Sequence, residues 1–284
     1  MDEPATQDVE YRALLARTWD FLRGDTSDWP DRPFYLEAIG RFGEPVLDVA
    51  CGTGRLLLDY LGQGIDIDGV DVSDDMLELC RAKAPDFGLQ PRLYRQGMES
   101  LDLPRRYRSI IVPSSSFQLL LDPAAAREAM GRFFVHLEPG GALVMPFIVF
   151  GAADEAGVEF VREKVRPDGS LIRKHASYRY DPATQFESTD ELFEVVVDGE
   201  VVESQRSIRS PATRGYDGAG DRAVRGGRVP DRQTRRRLHR PSVRAGRRDL
   251  HDHRSATRRL ISAERTRAPA RGWAGARIQS ARFS

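Results

Sequence analysis

VLDVACGTGR, residues 46–55, decides the fold together with IDIDGVDVSDDML, residues 65–77. A short apolar run closes on two glycines, the helical stretch LLLDYL follows, and a second apolar run ends in Asp71, 23 residues after Asp48. The order is strand, glycine turn, helix, strand. Glycines at 52 and 54 let the backbone turn sharply where strand meets helix and bring a ligand close to the main chain. A carboxylate at the tip of the second strand is placed to accept both hydroxyls of a ribose.

The same rhythm extends in both directions. Residues 9–24 carry apolar positions at helical spacing, and a Trp- and Pro-rich loop leads into a second helix ending near Gly40. Downstream, DDMLELCRAKA predicts a helix, RLYRQGM and YRSIIVP two strands, AAAREAMGRFFVHL a helix, and ALVMPFIVF a fifth strand after the turn Pro139-Gly140-Gly141. Strands alternating with helices through right-handed crossovers make an α/β fold with a doubly wound, mainly parallel, Rossmann-like sheet. From about Gly169 the pattern becomes hairpin-like: SLIRKHASYRY, ESTDELFEVVV and EVVESQRSI, separated by DPAT and Asp198-Gly199, predict added antiparallel strands. The expected organisation is an N-terminal helical cap (1–40), a Rossmann-like core (41–150), an antiparallel β insertion (151–213) and an Arg-rich tail (214–284).

Two details of the glycine loop narrow its ligand. A dinucleotide site places a third Gly or Ala at position 57, where helix and strand pack around a pyrophosphate, but Leu57 stands there. Asp48 at the loop's entrance repels a pyrophosphate and suits a cationic or zwitterionic ligand. An NAD(P)-dependent oxidoreductase is thereby disfavoured. VLDVACGTGR and GVDVSDDML resemble the first two motifs of the class I S-adenosylmethionine-dependent methyltransferases, and the resemblance runs through residues 30–150. It implies S-adenosylmethionine as cofactor and S-adenosylhomocysteine as product. It also implies that Asp48, Ala50, Gly52 and Gly54 line the methionine moiety, that Asp71 holds the ribose hydroxyls, and that Val72 and Met76 bracket the adenine.

After the third strand many relatives have Gly-Asp-Met where this chain has Gln96-Gly97-Met98, so the acid that meets the adenine amino group is absent. Gln96 and the main chain of Met98 are the substitutes to consider. Pro113, Ser114, Ser115, Ser116, Phe117 and Gln118 follow the fourth strand, where the resemblance puts residues facing the sulfonium and the acceptor. An Asn-Pro-Pro-Tyr type of motif is absent, and the expected partner is a small-molecule methyl acceptor reacting through N, O or C by direct displacement. An inactive or binding-only remnant of such an enzyme is the alternative.

A sulfonium is a strong methyl donor, so the protein supplies positioning, exclusion of water and at most a base. His175 on the added hairpin and Tyr35 in the N-terminal helices are the catalytic candidates, with Tyr11 beside them; His136 reads as packing. Trp19, Trp29, Phe34 and Tyr35 are expected to wall the acceptor pocket.

Charge divides the chain. Its 43 basic and 43 acidic residues cancel overall, yet residues 1–213 hold 23 basic against 37 acidic, a net of −14, and residues 214–284 hold 20 Arg against 6 acidic, a net of +14. The tail has only nine Leu, Ile, Val or Phe among 71 residues, too few to form a core, and disorder is expected there. An Arg-rich arm for nucleic acid is disfavoured by the absence of Lys and the scarcity of aromatics. A shifted reading frame explains the arginines better: CGN codons read one base later become Gly, Ala, Val, Asp or Glu codons. On that expectation the tail cannot supply the closing hairpin of such a sheet, and the fifth strand is left with a bare edge. Cys51 and Cys80 make no disulfide framework, and no Cys-x-x-Cys or His/Cys cluster indicates a metal site. With no long apolar run and the acidic start MDEPATQDVE, a cytoplasmic protein without a membrane partner is expected. Nothing in the sequence specifies an oligomeric state.

Overall fold

The computed structural model describes residues 11–150, 152–215 and 277–282. Two helices open the described chain, α1 (Ala13–Arg23) and α2 (Asp31–Phe42). Strands β1 (Val46–Val49), β2 (Ile67–Asp71), β3 (Arg92–Arg95), β4 (Tyr107–Ile111) and β5 (Leu137–Phe147) then alternate with helices α3 (Leu57–Gly62), α4 (Asp74–Lys83) and α5 (Pro123–His136). The five strands are parallel in the order β5-β4-β1-β2-β3. This is the doubly wound, Rossmann-like sheet expected from the alternation. Helix starts follow local chemistry: Ser73 caps α4 by accepting from Met76 N at 3.2 Å, and Asp122 caps α5 by accepting from Ala124 N, with Pro123 in the first turn.

The central strands are apolar on both faces because helices cover both. Val46, Leu47, Ile67, Ile110 and Ile111 are fully enclosed, each contributing ~1.5–3 kcal/mol relative to exposure. One core lies between the sheet and α2, α3 and α4, another between the sheet and α5. Leu57, in the place of a third glycine, is fully buried, and a Cβ on Gly69 of β2 would lie 2.7 Å from its Cδ2. Close helix–strand packing is therefore provided by a glycine on the neighbouring strand.

The antiparallel strands differ from expectation in two respects. A strand at Val158–Val165, β6, precedes the first hairpin strand, and with β7 (Leu171–Asp181), β8 (Phe186–Val197) and β9 (Glu200–Arg214) it forms a separate four-stranded sheet rather than an extension of the parallel one. Its signal is present in VEFVREKV, whose apolar residues alternate only weakly. α1 packs on this second sheet through Leu14, Leu15, Leu22, Ile172, Phe193 and Val195.

β5 also starts earlier than expected, at Leu137, and Pro139-Gly140-Gly141 is a bulge inside it: Tyr107 pairs with Leu137 but Ser109 pairs with Ala142. The expectation of a bare β5 edge is corrected at Arg277–Arg282, which forms β10 and pairs antiparallel with Ala142–Phe147. Residues 216–276 and 283–284 lie outside those described, as does the shifted-frame segment. No helix among the described residues is long and apolar enough to cross a membrane.

Candidate functional site

A cavity of about 400 Å³ opens at the C-terminal ends of β1, β2, β3 and β4 and is closed on its other side by α1 and the second sheet. The loop after β1 forms its floor. Ala50 and Gly52 adopt left-handed conformations, φ 57° and 56°, and Gly54 follows at φ 82°. The two glycines serve different ends. A Cβ on Gly52 would meet nothing within 4 Å, so the main chain there is open to a ligand. A Cβ on Gly54 would lie 2.5 Å from Cys80 Sγ and 3.0 Å from Leu58 Cγ, so this glycine lets the loop rest on α4 and α3. Cys51 and Cys80 are both buried free thiols.

Two carboxylates end adjacent strands. Asp48 is 1% exposed and its Oδ1 has no hydrogen-bond partner. Burial pushes its carboxyl up to about 8, opposed by Arg55 and reinforced by Asp71 and Asp31. Asp71 accepts from Gly52 N at 2.8 Å and from Ser73 N at 2.9 Å. Val72, Met76, Gln96, Gly97, Met98 and Pro113 line the same cavity with Asp48, Ala50, Gly52 and Asp71; Gly54 alone of the expected cofactor contacts does not. Gln96 is committed elsewhere: its amide donates to Asp102 O at 3.0 Å and accepts from Asp102 N at 2.8 Å. Ser114 and Ser115 both sit at φ 56°, a strained turn that faces the cavity after β4. Gln118 is fully buried and braces the wall, bonding Ile148 at both ends of its amide and donating to Arg214 O at 2.8 Å.

The structure does not bring the two catalytic candidates to this cavity. Tyr35 is fully buried in the core beside Ile39, Val46 and Leu57, its hydroxyl unpartnered and its titration pushed up by burial. His175 lies on the outer face of the second sheet, 45% exposed, with Nε2 3.4 Å from Glu194 Oε2. Side chains alternate along β7, so the inward set is Ile172, Lys174, Ala176, Tyr178 and Tyr180. His136 is structural, as read from the sequence: Nε2 accepts from Leu103 N at 3.0 Å and Nδ1 meets Arg132 O at 2.8 Å. Of the four aromatic residues expected to wall the pocket, Trp19 does so; Trp29, Phe34 and Tyr35 do not line it, while Tyr11 does, 4.8 Å from Trp19 in an edge-on contact.

Sequence reasoning missed the inner face of the second sheet. Glu191, 4% exposed, accepts from Tyr178 OH at 2.6 Å, pairs with Lys174 Nζ at 2.6 Å and meets Arg209 at 3.2 Å. Burial pushes its carboxyl up, but the two cations and the tyrosine outweigh this and hold it below the usual range. Thr189 and Arg209 face each other across β8 and β9, and Thr189 Oγ1 and Arg209 Nε are buried without a partner. Both residues line the cavity. α1 is fastened over it by Thr53 Oγ1 donating to Asp20 at 2.6 Å, Lys83 pairing with Asp20 at 2.5 Å, and Ser73 Oγ donating to Tyr11 O at 2.6 Å. Arg23, stacked 4.2 Å from the Trp19 ring centroid, completes that wall. Among the described residues no cluster of His, Cys, Asp and Glu is arranged to hold a metal ion.

A family model described as a methyltransferase domain matches residues 46–141, from the first residue of β1 into β5. Over this stretch the chain is similar to a methyltransferase domain. This domain carries the floor of the cavity; α1 and the second sheet lie outside it. The chain is 31% identical over 145 residues to a dTDP-3-amino-3,6-dideoxy-alpha-D-glucopyranose N,N-dimethyltransferase of Streptomyces fradiae, covering 48% of this chain and 54% of that protein. It is 27% identical over 140 residues to a ubiquinone biosynthesis O-methyltransferase of Pectobacterium atrosepticum, covering 47% and 56%. The chain spans about half the length of the curated relatives it matches. The crystal structure of Streptomyces venezuelae DesVI superposes on the chain with a TM-score of 0.57 at 25% identity, covering 72% of this chain and 86% of that one.

Proposed function

We propose that the chain transfers a methyl group from S-adenosylmethionine to a nitrogen or oxygen of a small polar molecule, with S-adenosylhomocysteine as the other product. The observation that carries this reading is the pair of carboxylates in one cavity, Asp48 with an unpartnered buried oxygen and Asp71 at the next strand tip. A buried carboxylate oxygen without a donor fits a ligand bearing an ammonium group, and a carboxylate aligned by two main-chain N–H groups fits a ribose diol. Gly52 leaves room for the chain joining the two, and Val72, Met76 and Met98 offer apolar surface for a base. When bound, the cofactor supplies an electrophilic methyl on a positively charged sulfur.

The rest of the work belongs to this chain's residues. Tyr11, Trp19 and Leu120 supply apolar surface that excludes water from the cavity, which favours displacement over hydrolysis. Thr189 Oγ1 and Arg209 Nε are unmet donors that orient an oxygen of the acceptor, and the Lys174–Glu191–Tyr178 cluster holds that face rigid. The named relatives methylate nitrogen or oxygen. Leu57 and Asp48 weigh against a nicotinamide dinucleotide. The test is to incubate the full chain with methyl-labelled S-adenosylmethionine and panels of nucleotide-linked amino sugars and phenolic hydroxyl acceptors. Label is expected in an acceptor, and loss of that transfer in Asp48→Asn is expected with it. Binding of S-adenosylhomocysteine with no transfer to either panel favours the binding-only reading instead.

A further inference from the structure

Thr189 on β8 and Arg209 on β9 are directly opposed across the strands, and both face the cavity while the adjacent pair, Asp190 and Ile208, faces outward. Side chains so opposed on one face start about 4.5–5.5 Å apart. Each carries a buried donor that nothing in the chain meets, Thr189 Oγ1 and Arg209 Nε. The neighbouring carboxylate is engaged elsewhere: Glu191 Oε1 takes Tyr178 OH and Lys174 Nζ, both at 2.6 Å, and Oε2 takes a terminal nitrogen of Arg209 at 3.2 Å. Two cations thus share one carboxylate, and this cluster keeps one positive charge in a wall largely closed to water. Glu187, the next inward carboxylate of β8, stands on the far side of Thr189 from Glu191 and has an interaction of its own. The Tyr11 ring, its centroid 5.2 Å from the Arg209 guanidinium, covers this corner with apolar surface.

We propose that the methyl acceptor is a carboxylate-bearing molecule, held by Thr189 Oγ1 and Arg209 Nε through its two carboxylate oxygens. The proposal rests on the methyltransferase reading above and names the class of acceptor it takes. A planar carboxylate offers one oxygen to each donor, and its single charge matches the one left over in the cluster. A phosphate monoester brings more than one charge beside the ionised Glu191, and a neutral carbonyl leaves the positive charge uncompensated. Anchored on the second sheet, such an acceptor turns its nitrogen or hydroxyl toward the strand ends that carry Asp48 and Asp71 in the same cavity. Leu119, Leu120 and Ile148 offer apolar surface to the part between.

The full chain is first titrated calorimetrically with S-adenosylhomocysteine and then, saturated with it, titrated with benzoate, its neutral isostere benzamide, and phenyl phosphate, binding being read by ligand-observed NMR. The native chain is expected to prefer benzoate to benzamide by about tenfold or more, the range of a hydrogen bond to a charged group. Arg209→Lys keeps the charge beside Glu191 but removes Nε, and Thr189→Val keeps the shape but removes the hydroxyl. Each is expected to weaken benzoate about threefold to tenfold, with benzamide unchanged and S-adenosylhomocysteine bound within about twofold of the native affinity, which also reports that the variant is folded. A benzoate preference that survives both substitutions overturns the assignment of these two residues. Equal binding of benzoate and benzamide, or binding of neither, overturns the carboxylate class while leaving the cofactor site standing, and phenyl phosphate binding more tightly than benzoate replaces it with a phosphate ester. No binding of S-adenosylhomocysteine by the native chain overturns the methyltransferase reading, and this inference with it.

Discussion

The backbone N–H of Gly52 donates to Asp71 Oδ2 at 2.8 Å, so the glycine loop after β1 is tied to the tip of β2 by the carboxylate proposed to receive a ribose. Its other oxygen accepts from Ser73 N at 2.9 Å. Loop shape and ligand recognition therefore share one side chain.

Replacing Asp71 with Ala removes both functions. Affinity for S-adenosylhomocysteine is expected to fall by ~1–3 kcal/mol through lost charged hydrogen bonds. Titration calorimetry reads the loss; an unchanged affinity places the ribose elsewhere.

Asp48 links ligand binding to pH. Its carboxyl is pushed up to about 8, so the free protein holds it protonated at neutral pH, while a ligand ammonium favours the ionised form. Below about pH 8 the affinity is expected to drop, approaching tenfold per pH unit, because binding releases a proton from Asp48 to solvent. The same raised value means that the native state binds more protons than the unfolded state between about pH 4 and pH 8, so this group's contribution to stability falls as pH rises through that window. Asp48→Asn is expected to abolish ligand binding while raising the stability of the free protein at pH 8 by ~1–3 kcal/mol. A thermal scan of both proteins across pH 5 to about 9 shows whether the gap widens with pH as required.

Much of this site is legible in the sequence because strand tips and glycine turns are local features. Asp48, Gly52 and Asp71 are placed by strand length and by the φ values that only certain residues tolerate, and they meet in the folded chain as the spacing predicts. The far wall is different. Lys174, Tyr178, Glu191 and Arg209 come together only through strand pairing of a second sheet, and choosing which face of β7 points inward is a one-residue decision. The apolar positions Ile172, Ala176 and Tyr180 carry that decision, since they share a face with Lys174 and Tyr178 and leave His175 outside. Tyr35 was eligible by chemistry alone; packing of α2 against β1 buries it.

His175→Ala is accordingly expected to leave methyl transfer within about twofold of the native rate, as an outward residue on an exposed sheet face. A hundredfold loss contradicts the register. Glu191→Ala leaves two partly buried cations, Lys174 and Arg209, without their shared carboxylate and is expected to destabilise the fold by ~2–3 kcal/mol, measured by urea unfolding.

β10 covers the edge of β5 along six residues. Truncation after residue 276 is expected to expose that edge and increase concentration-dependent aggregation, followed by light scattering. Identical scattering from the truncated and full chains means that Arg277–Arg282 does not protect the edge.

The central claim is that the cavity at the ends of β1, β2 and β3 holds the adenosyl cofactor of a methyltransferase, and titration calorimetry of the full chain with S-adenosylhomocysteine tests it most directly. Saturable binding with one ligand per chain, lost in Asp48→Asn and weakened in Asp71→Ala, is the predicted result. No heat of binding at millimolar ligand contradicts it.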